Sequence, residues 1–137
     1  MTTPIVRLGF FKLNVAEMAP ALAFWRDAFG FAETATFDEA EFYEKVLALP
    51  SQAAGPSLML VQYKDGRDAR VGHGHGPVGL ICDDIRASYD RALAHGAEKD
   101  SEVFEAAGVQ IAVLRSPQGH EIELIQLPRP VPGAGGN

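Results

Sequence analysis

Ser116-Pro117-Gln118-Gly119-His120-Glu121-Ile122-Glu123-Leu124 is a tight turn running into a strand. Pro and Gly stand at favoured turn positions. The residues after them alternate polar with apolar, the period of a strand with one face buried. An earlier stretch, Gly55-Pro56-Ser57-Leu58-Met59-Leu60, lies over Gly119-His120-Glu121-Ile122-Glu123-Leu124 position by position. That match makes the chain an internal duplication.

Working outward, each copy opens with an apolar run followed by a helical pattern. Leu8 to Val15 leads into a helix expected over Met18 to Phe29. Its apolar stripe is Met18, Leu22, Trp25 and Phe29, widened by Phe24 and Ala28. Pro20 fits the first turn, where a missing N–H costs little, and Gly30 can take the left-handed conformation that ends a helix. Val78 to Cys82 leads into a second helix over Asp84 to His95, with Asp83 or Asp84 as cap, Ile85, Tyr89 and Leu93 as stripe, and Gly96 as terminator. Strands are expected over Phe31 to Phe37, Phe42 to Leu49 and Leu58 to Tyr63 in the first copy. In the second they are expected over Ser101 to Phe104, Val109 to Leu114 and Glu121 to Gln126. The order β-α-β-β-β thus occurs twice, an α+β class. Its boundaries are a first module over 1–64, a Gly-, Asp-, Arg- and His-bearing linker over 65–76, a second module over 77–127, and a Pro/Gly-rich tail over 128–137 that frays or drapes over the surface. Neither half could bury both its helix and its sheet face alone, so the two are expected to pack together.

Composition narrows the function classes. The chain has 137 residues, of which 47% are hydrophobic and 22% charged, with a formal net charge of −6. This is the balance of a globular domain with a real core. No basic stripe marks a nucleic-acid partner, and no apolar run is long enough for a bilayer. The start, Met1-Thr2-Thr3-Pro4, lacks a basic region before an apolar stretch, so a secretory signal is not expected and the location is read as cytoplasmic. The single cysteine, Cys82, excludes an intrachain disulfide and is read as a small buried hydrophobe.

Three stretches carry a family resemblance. Val15-Ala16-Glu17-Met18 followed by Ala23-Phe24-Trp25-Arg26-Asp27-Ala28-Phe29-Gly30-Phe31 resembles the first helix of the glyoxalase/bleomycin-resistance/dioxygenase (vicinal oxygen chelate) superfamily. Cys82-Asp83-Asp84-Ile85 looks like the matching turn of the second module, and Ser116 to Leu124 is similar to the final hairpin, the most specific of the three. The resemblance covers one domain over about residues 5–127. It implies two βαβββ modules forming a curved mixed sheet around a cavity, and a homodimer. It also implies one divalent metal held by four side chains, from the first and last strand of each module, acting as a Lewis acid on two neighbouring substrate oxygens.

Carried over residue by residue, those four positions fall on Phe10, Met59, Pro77 and Glu123. Phenylalanine and proline cannot ligate, a thioether suits soft ions, and zinc normally asks for at least three protein ligands. The expectation is therefore no metal site and no cofactor. One rescue is open: His75, two residues before Pro77, faces the same way on a strand and could join Glu123; the plainer reading makes His73 and His75 solvated linker residues. His95 suits the negative end of a helix, and His120 is read as an exposed turn residue, the other reading being a place at the cavity mouth.

Alternation gives the cavity face without a metal. Phe10, Lys12 and Asn14 go together, as do Ser57, Met59, Val61 and Tyr63, and as do Glu121, Glu123 and Ile125. Phe10, Lys12, Asn14, Met59, Tyr63 and Glu121 are thus the candidate ligand-binding residues and Glu123 the candidate catalytic one, in a lining of apolar walls with a few polar groups. Lys12 either pairs with Glu123, its ammonium partly replacing the family's cation, or snorkels outward. Glu123 is either a general base or a hydrogen-bonded relic of the family motif. Trp25 and Tyr89 are read as core. Two functions compete: a metal-free protein that encloses a small molecule, and a lyase, isomerase, epimerase or dioxygenase of the glyoxalase type.

Overall fold

The computed structural model describes residues 2–128. Except for Pro128, the expected tail lies outside the described residues. The chain divides into two compact units, one ending at Arg70 and the other beginning at Val71.

The first unit holds β1 (Phe10–Asn14), α1 (Met18–Phe29), β2 (Ala32–Asp38), β3 (Phe42–Ala48), a 3-10 turn (Pro50–Gln52) and β4 (Ser57–Tyr63). Its sheet runs β1-β4-β3-β2. β1 lies parallel to β4, and the other pairs are antiparallel. Helix α1 has the expected bounds, and Gly30 ends it at φ 83°. The buried centre of the helix differs from expectation. Ala21, Phe24, Trp25 and Ala28 are buried, whereas Met18, Leu22 and Phe29 are only half-buried. The stripe is turned because Trp25 is the bulkiest side chain and takes the middle. It is fully buried and packs edge-on against Phe24 and Phe31, with ring centroids 5.5 and 5.8 Å away.

The second unit repeats the plan: β5 (Val78–Ile81), α2 (Ile85–Ala94), β6 (Glu98–Lys99), β7 (Phe104–Ala106), β8 (Val109–Arg115) and β9 (Glu121–Gln126). The sheet runs β5-β9-β8-β6, with β7 also on β8, and β5 is parallel to β9 as β1 is to β4. In place of the strand expected over Ser101 to Phe104 there are two short strands, β6 ending before it and β7 beginning at its last residue. Between them Ser101 Oγ accepts the Val113 N–H at 2.9 Å and the Ser101 N–H donates to Val113 O at 3.0 Å. The serine side chain thus replaces a ladder bond and the strand breaks there.

The duplication extends to the helix starts. Gln62 Oε1, on β4, accepts the Met18 N–H at 2.7 Å, and Gln126 Oε1, on β9, accepts the Ile85 N–H at 2.8 Å. Each helix leaves its first N–H groups without intrahelical partners, and in both units a strand glutamine supplies an acceptor. Asp84 Oδ1 adds a cap to α2 at the Ala87 N–H, 3.1 Å away. Glu17 caps nothing. In α1 the corresponding third position is Pro20, which has no N–H to cap.

These glutamines also fix which sheet face carries each helix. In β4, Leu58, Leu60 and Gln62 turn toward α1. In β9, Ile122, Leu124 and Gln126 turn toward α2. Leu13, Leu47, Leu60, Leu114, Ile122 and Leu124, each at most 2% exposed, form the cores under the helices. His120 falls in the row of Ile122 and Leu124 and is 3% exposed, so the exposed-turn reading of it is corrected. Its backbone N–H donates to Ser116 Oγ at 3.0 Å, and its carbonyl accepts the Ser116 N–H at 2.8 Å, which closes the hairpin inward. Cys82 is half-buried rather than buried, and loss of solvent pushes its thiol pKa up. No helix among the described residues is long and apolar enough to cross a membrane.

Candidate functional site

The face of the first sheet turned away from α1 carries five of the candidate residues. Phe10, Lys12 and Asn14 leave β1 on this side, and Met59 and Tyr63 leave β4 with them. Rows run across the strands: Lys12 beside Met59 and Val46, then Asn14 beside Val61 and Glu44. Glu44 belongs to Phe42-Tyr43-Glu44-Lys45-Val46, where strand alternation sends Glu44 to this face and Lys45 to the other.

Lys12 reaches diagonally over β4 to Glu44, with Nζ 2.7 Å from Oε2. The sequence had suggested Glu123 as its partner or an outward course. The carboxylate it meets lies in its own sheet. Glu44 is 6% exposed, one of the few buried charged residues, whereas 44% of the Lys12 side chain remains open. Oε2 receives no hydrogen bond of regular geometry, so charge is what holds the pair. The Phe10 ring centroid lies 5.6 Å from the ammonium and adds a weak cation–π contact.

Where β1 and β4 end, Asn14 and Tyr63 from this face and Gln62 and Tyr43 from the other line a groove of about 450 Å³ together with Lys64 and Arg67; Lys12 and Glu44 do not line it. Arg67 lies over Tyr63, its guanidinium carbon 3.8 Å from the ring centroid. The same guanidinium donates to both carboxylate oxygens of Asp65, at 2.7 to 3.0 Å. Those hydrogen bonds hold the Asp65 carboxyl down at about 2. Lys64 Nζ sits 4.3 Å over the Tyr43 ring and 2.6 Å from Asp38, whose hydrogen bond raises the lysine's pKa. The groove therefore offers aromatic faces, and its two cations already have carboxylate partners.

Glu121 and Glu123 lie in the other unit, on the face of its sheet turned away from α2. Both are half-buried. Glu123 stands between Gly79 and Val113, an apolar row, and Glu121 is paired across the ladder with Arg115. Arg115 spends its guanidinium on Gly119 O at 3.2 Å and Asp100 Oδ2 at 3.0 Å.

The four positions that the resemblance assigns to metal ligands hold a phenyl ring, a thioether, an exposed proline and one carboxylate. Among the described residues, no group of three or more His, Cys, Asp or Glu is arranged to hold an ion. His75, the candidate rescue, is exposed, with Nδ1 3.0 Å from Gly76 O, and His73 is exposed beside it. This donor set does not fit the metal that the fold family implies, since a divalent ion needs several converging oxygen or nitrogen donors.

Sequence reasoning passed over Glu44, Gln62 and Arg67. For Gln62 a signal existed: its partner in the duplicated alignment is Gln126, at the end of the matching strand.

Residues 7–124 match the family model described as Glyoxalase/Bleomycin resistance protein/Dioxygenase superfamily. No curated protein matches. Among solved structures, glyoxalase I from Zea mays is similar at a TM-score of 0.79 and 18% identity, over 90% of this chain and 45% of that one. The trypanothione-dependent glyoxalase I of Leishmania major gives 0.75 and 17%, over 89% and 87%. A glyoxalase/bleomycin resistance protein/dioxygenase domain from Frankia sp. EAN1pec gives 0.76 and 15%, over 92% and 100%. This chain spans less than half the length of the maize enzyme. At these identities the likeness is one of fold.

Proposed function

Because this chain belongs to the Glyoxalase/Bleomycin resistance protein/Dioxygenase superfamily, we propose that it binds a small organic molecule on the face of its first sheet turned away from α1, without the family's divalent metal. One observation carries the reading. Phe10 and Met59 stand on that face of the first sheet, at two of the positions that the resemblance assigns to ligands, and neither side chain offers an oxygen or a nitrogen. What replaces the donors is apolar surface with sparse polar groups, the usual make-up of a small-molecule site.

A second reading, an acid–base enzyme with Glu123 as the proton-accepting group, is favoured by the apolar row of Gly79 and Val113 around that half-buried carboxylate. A homodimer is proposed with either reading, supported by the exposed Ile5, Val6 and Leu8.

The test joins elemental analysis of the purified chain to thermal-shift measurements with small aromatic compounds, with and without added zinc or manganese. The reading expects less than about a tenth of an equivalent of divalent metal and a Tm that rises with ligand concentration whether or not metal is present. A full equivalent of metal that stays through chelator treatment sinks it. Turnover that survives in wild type but is lost in Glu123→Gln would favour the enzyme reading.

A further inference from the structure

The Lys12–Glu44 pair is more chemistry than a βαβββ module needs. Apolar side chains alone would hold β1, β4 and β3 together, and a buried carboxylate loses hydration that one ion pair repays only in close geometry. Glu44 is nevertheless 6% exposed, with a single ammonium 2.7 Å from Oε2 and no regular hydrogen bond there. The lysine is placed differently. An ammonium carries three donor hydrogens, Glu44 engages one side of it, and 44% of the side chain stays open. The Phe10 ring stands beside it. Asn14, in the same register row as Glu44, lines the groove of about 450 Å³ at the strand ends, and Lys12 lies outside that groove, two residues back along β1.

We infer that Lys12, held in place by Glu44, is the hydrogen-bond donor that anchors a ligand on this face, and that the ligand is a neutral compound bearing a carbonyl or hydroxyl oxygen on an apolar body. The inference rests on the small-molecule reading above. Charge selects the class. Glu44 already matches the lysine's charge, so a ligand carboxylate would bring a second negative charge into a half-buried site, where like charges repel more strongly than in water. A pure hydrocarbon leaves the open ammonium hydrogens without an acceptor. A neutral oxygen accepts from Lys12 and leaves the net charge at zero. Glu44 sets this preference through Lys12, so it is a positioning residue.

Acetophenone, benzoate and ethylbenzene share a ring and differ in the polar end. Each is titrated into the full chain, and the backbone amide NMR shifts of residues 10–14 and 44 are followed. In wild type, acetophenone should bind at least about fivefold more tightly than either of the others, a difference of about 1 kcal/mol. Glu44→Gln keeps the shape and an acceptor for Lys12 but removes the negative charge, and should move the benzoate-to-acetophenone affinity ratio toward benzoate by about tenfold or more. The double variant Lys12→Met with Glu44→Gln leaves no orphan carboxylate and should bind acetophenone and ethylbenzene alike. Equal binding of acetophenone and ethylbenzene to wild type, or a benzoate ratio unmoved by Glu44→Gln, overturns the anchor while the small-molecule reading stands. Absence of shifts with all three probes also overturns it, and the small-molecule reading then rests on its own metal and thermal-shift measurements.

Discussion

Gln126 Oε1 accepts the Ile85 N–H at 2.8 Å, so the last strand of the second unit closes the first turn of that unit's helix. Gln62 does the same for Met18 in the first unit. The residues after β1 and β5 are tied to the same strands. The Val15 N–H donates to Val61 O at 2.8 Å, and the Cys82 N–H donates to Ile125 O at 2.7 Å. The duplicated unit is thus a strand, a turn and a helix start, all fastened to one closing strand.

Removing such an acceptor leaves a part-buried N–H unpaired. Gln126→Met is expected to cost about 1–2 kcal/mol of unfolding free energy. Asp84→Ala, which removes the cap on the Ala87 N–H, should cost about 1 kcal/mol. Urea unfolding followed by circular dichroism reads both. A Gln126→Met protein as stable as wild type would show that water replaces the glutamine.

Trp25 separates packing from polar satisfaction. It is fully buried among Phe24, Phe29 and Phe31, and its Nε1 has no hydrogen-bond partner. Trp25→Ala should therefore cost about 3–5 kcal/mol through the cavity it leaves. Trp25→Phe loses some volume but also removes a buried donor without an acceptor, and should cost less than about 2 kcal/mol. A thermal or urea series on the two variants checks the order. Equal losses would mean that the indole N–H has found a partner.

Much of this architecture is legible in the residues, and the failures have physical causes. Pro20 and Gly30 punctuate α1, and Ser116-Pro117-Gln118-Gly119 punctuates the last hairpin, so those elements fall where expected. Local backbone chemistry of this kind survives in any tertiary context. The expected Ser101 strand fails because a serine hydroxyl competes with the ladder, which no periodicity reveals. His120 was legible by its period of two with Ile122 and Leu124, but its place beside Gly119 suggested exposure. Glu44 was not legible. In Glu44-Lys45 both residues are charged and alternation sends one to each face, so only the pairing across β4 decides that Glu44 is the buried one.

Asp65 gives a pH-dependent signature. Hydrogen bonds from Arg67 hold its carboxyl at about 2, below its ordinary 3.8. A folded-state pKa below the unfolded one means that the pair's contribution is present above about pH 4 and is lost as pH falls through about 2. Both partners lie at the surface, so the effect on global stability is small. NMR titration of the Asp65 carboxyl should find the midpoint near 2, and Arg67→Gln should move it up toward 3.8. A midpoint near 3.8 in wild type would mean that Arg67 does not hold its place over Tyr63.

Lys12 and Glu44 depend on each other for charge balance. Lys12→Met deletes the cation 2.7 Å from a carboxylate that is 8% exposed in its side chain. An orphaned buried charge either stays ionised at high cost or takes up a proton, and both outcomes destabilise the folded chain at neutral pH. Because Lys12 itself is 44% exposed, water can reach one side of the site, and the loss should be about 2–3 kcal/mol rather than the larger value of a fully enclosed pair. Glu44→Gln leaves a neutral acceptor beside the ammonium and should cost about 1 kcal/mol. Combining the two removes both charges and should recover stability, so that the double variant costs less than the sum of the single ones. A double-mutant cycle by urea unfolding at neutral pH tests this. If Lys12→Met matches wild type, water rather than the lysine compensates Glu44.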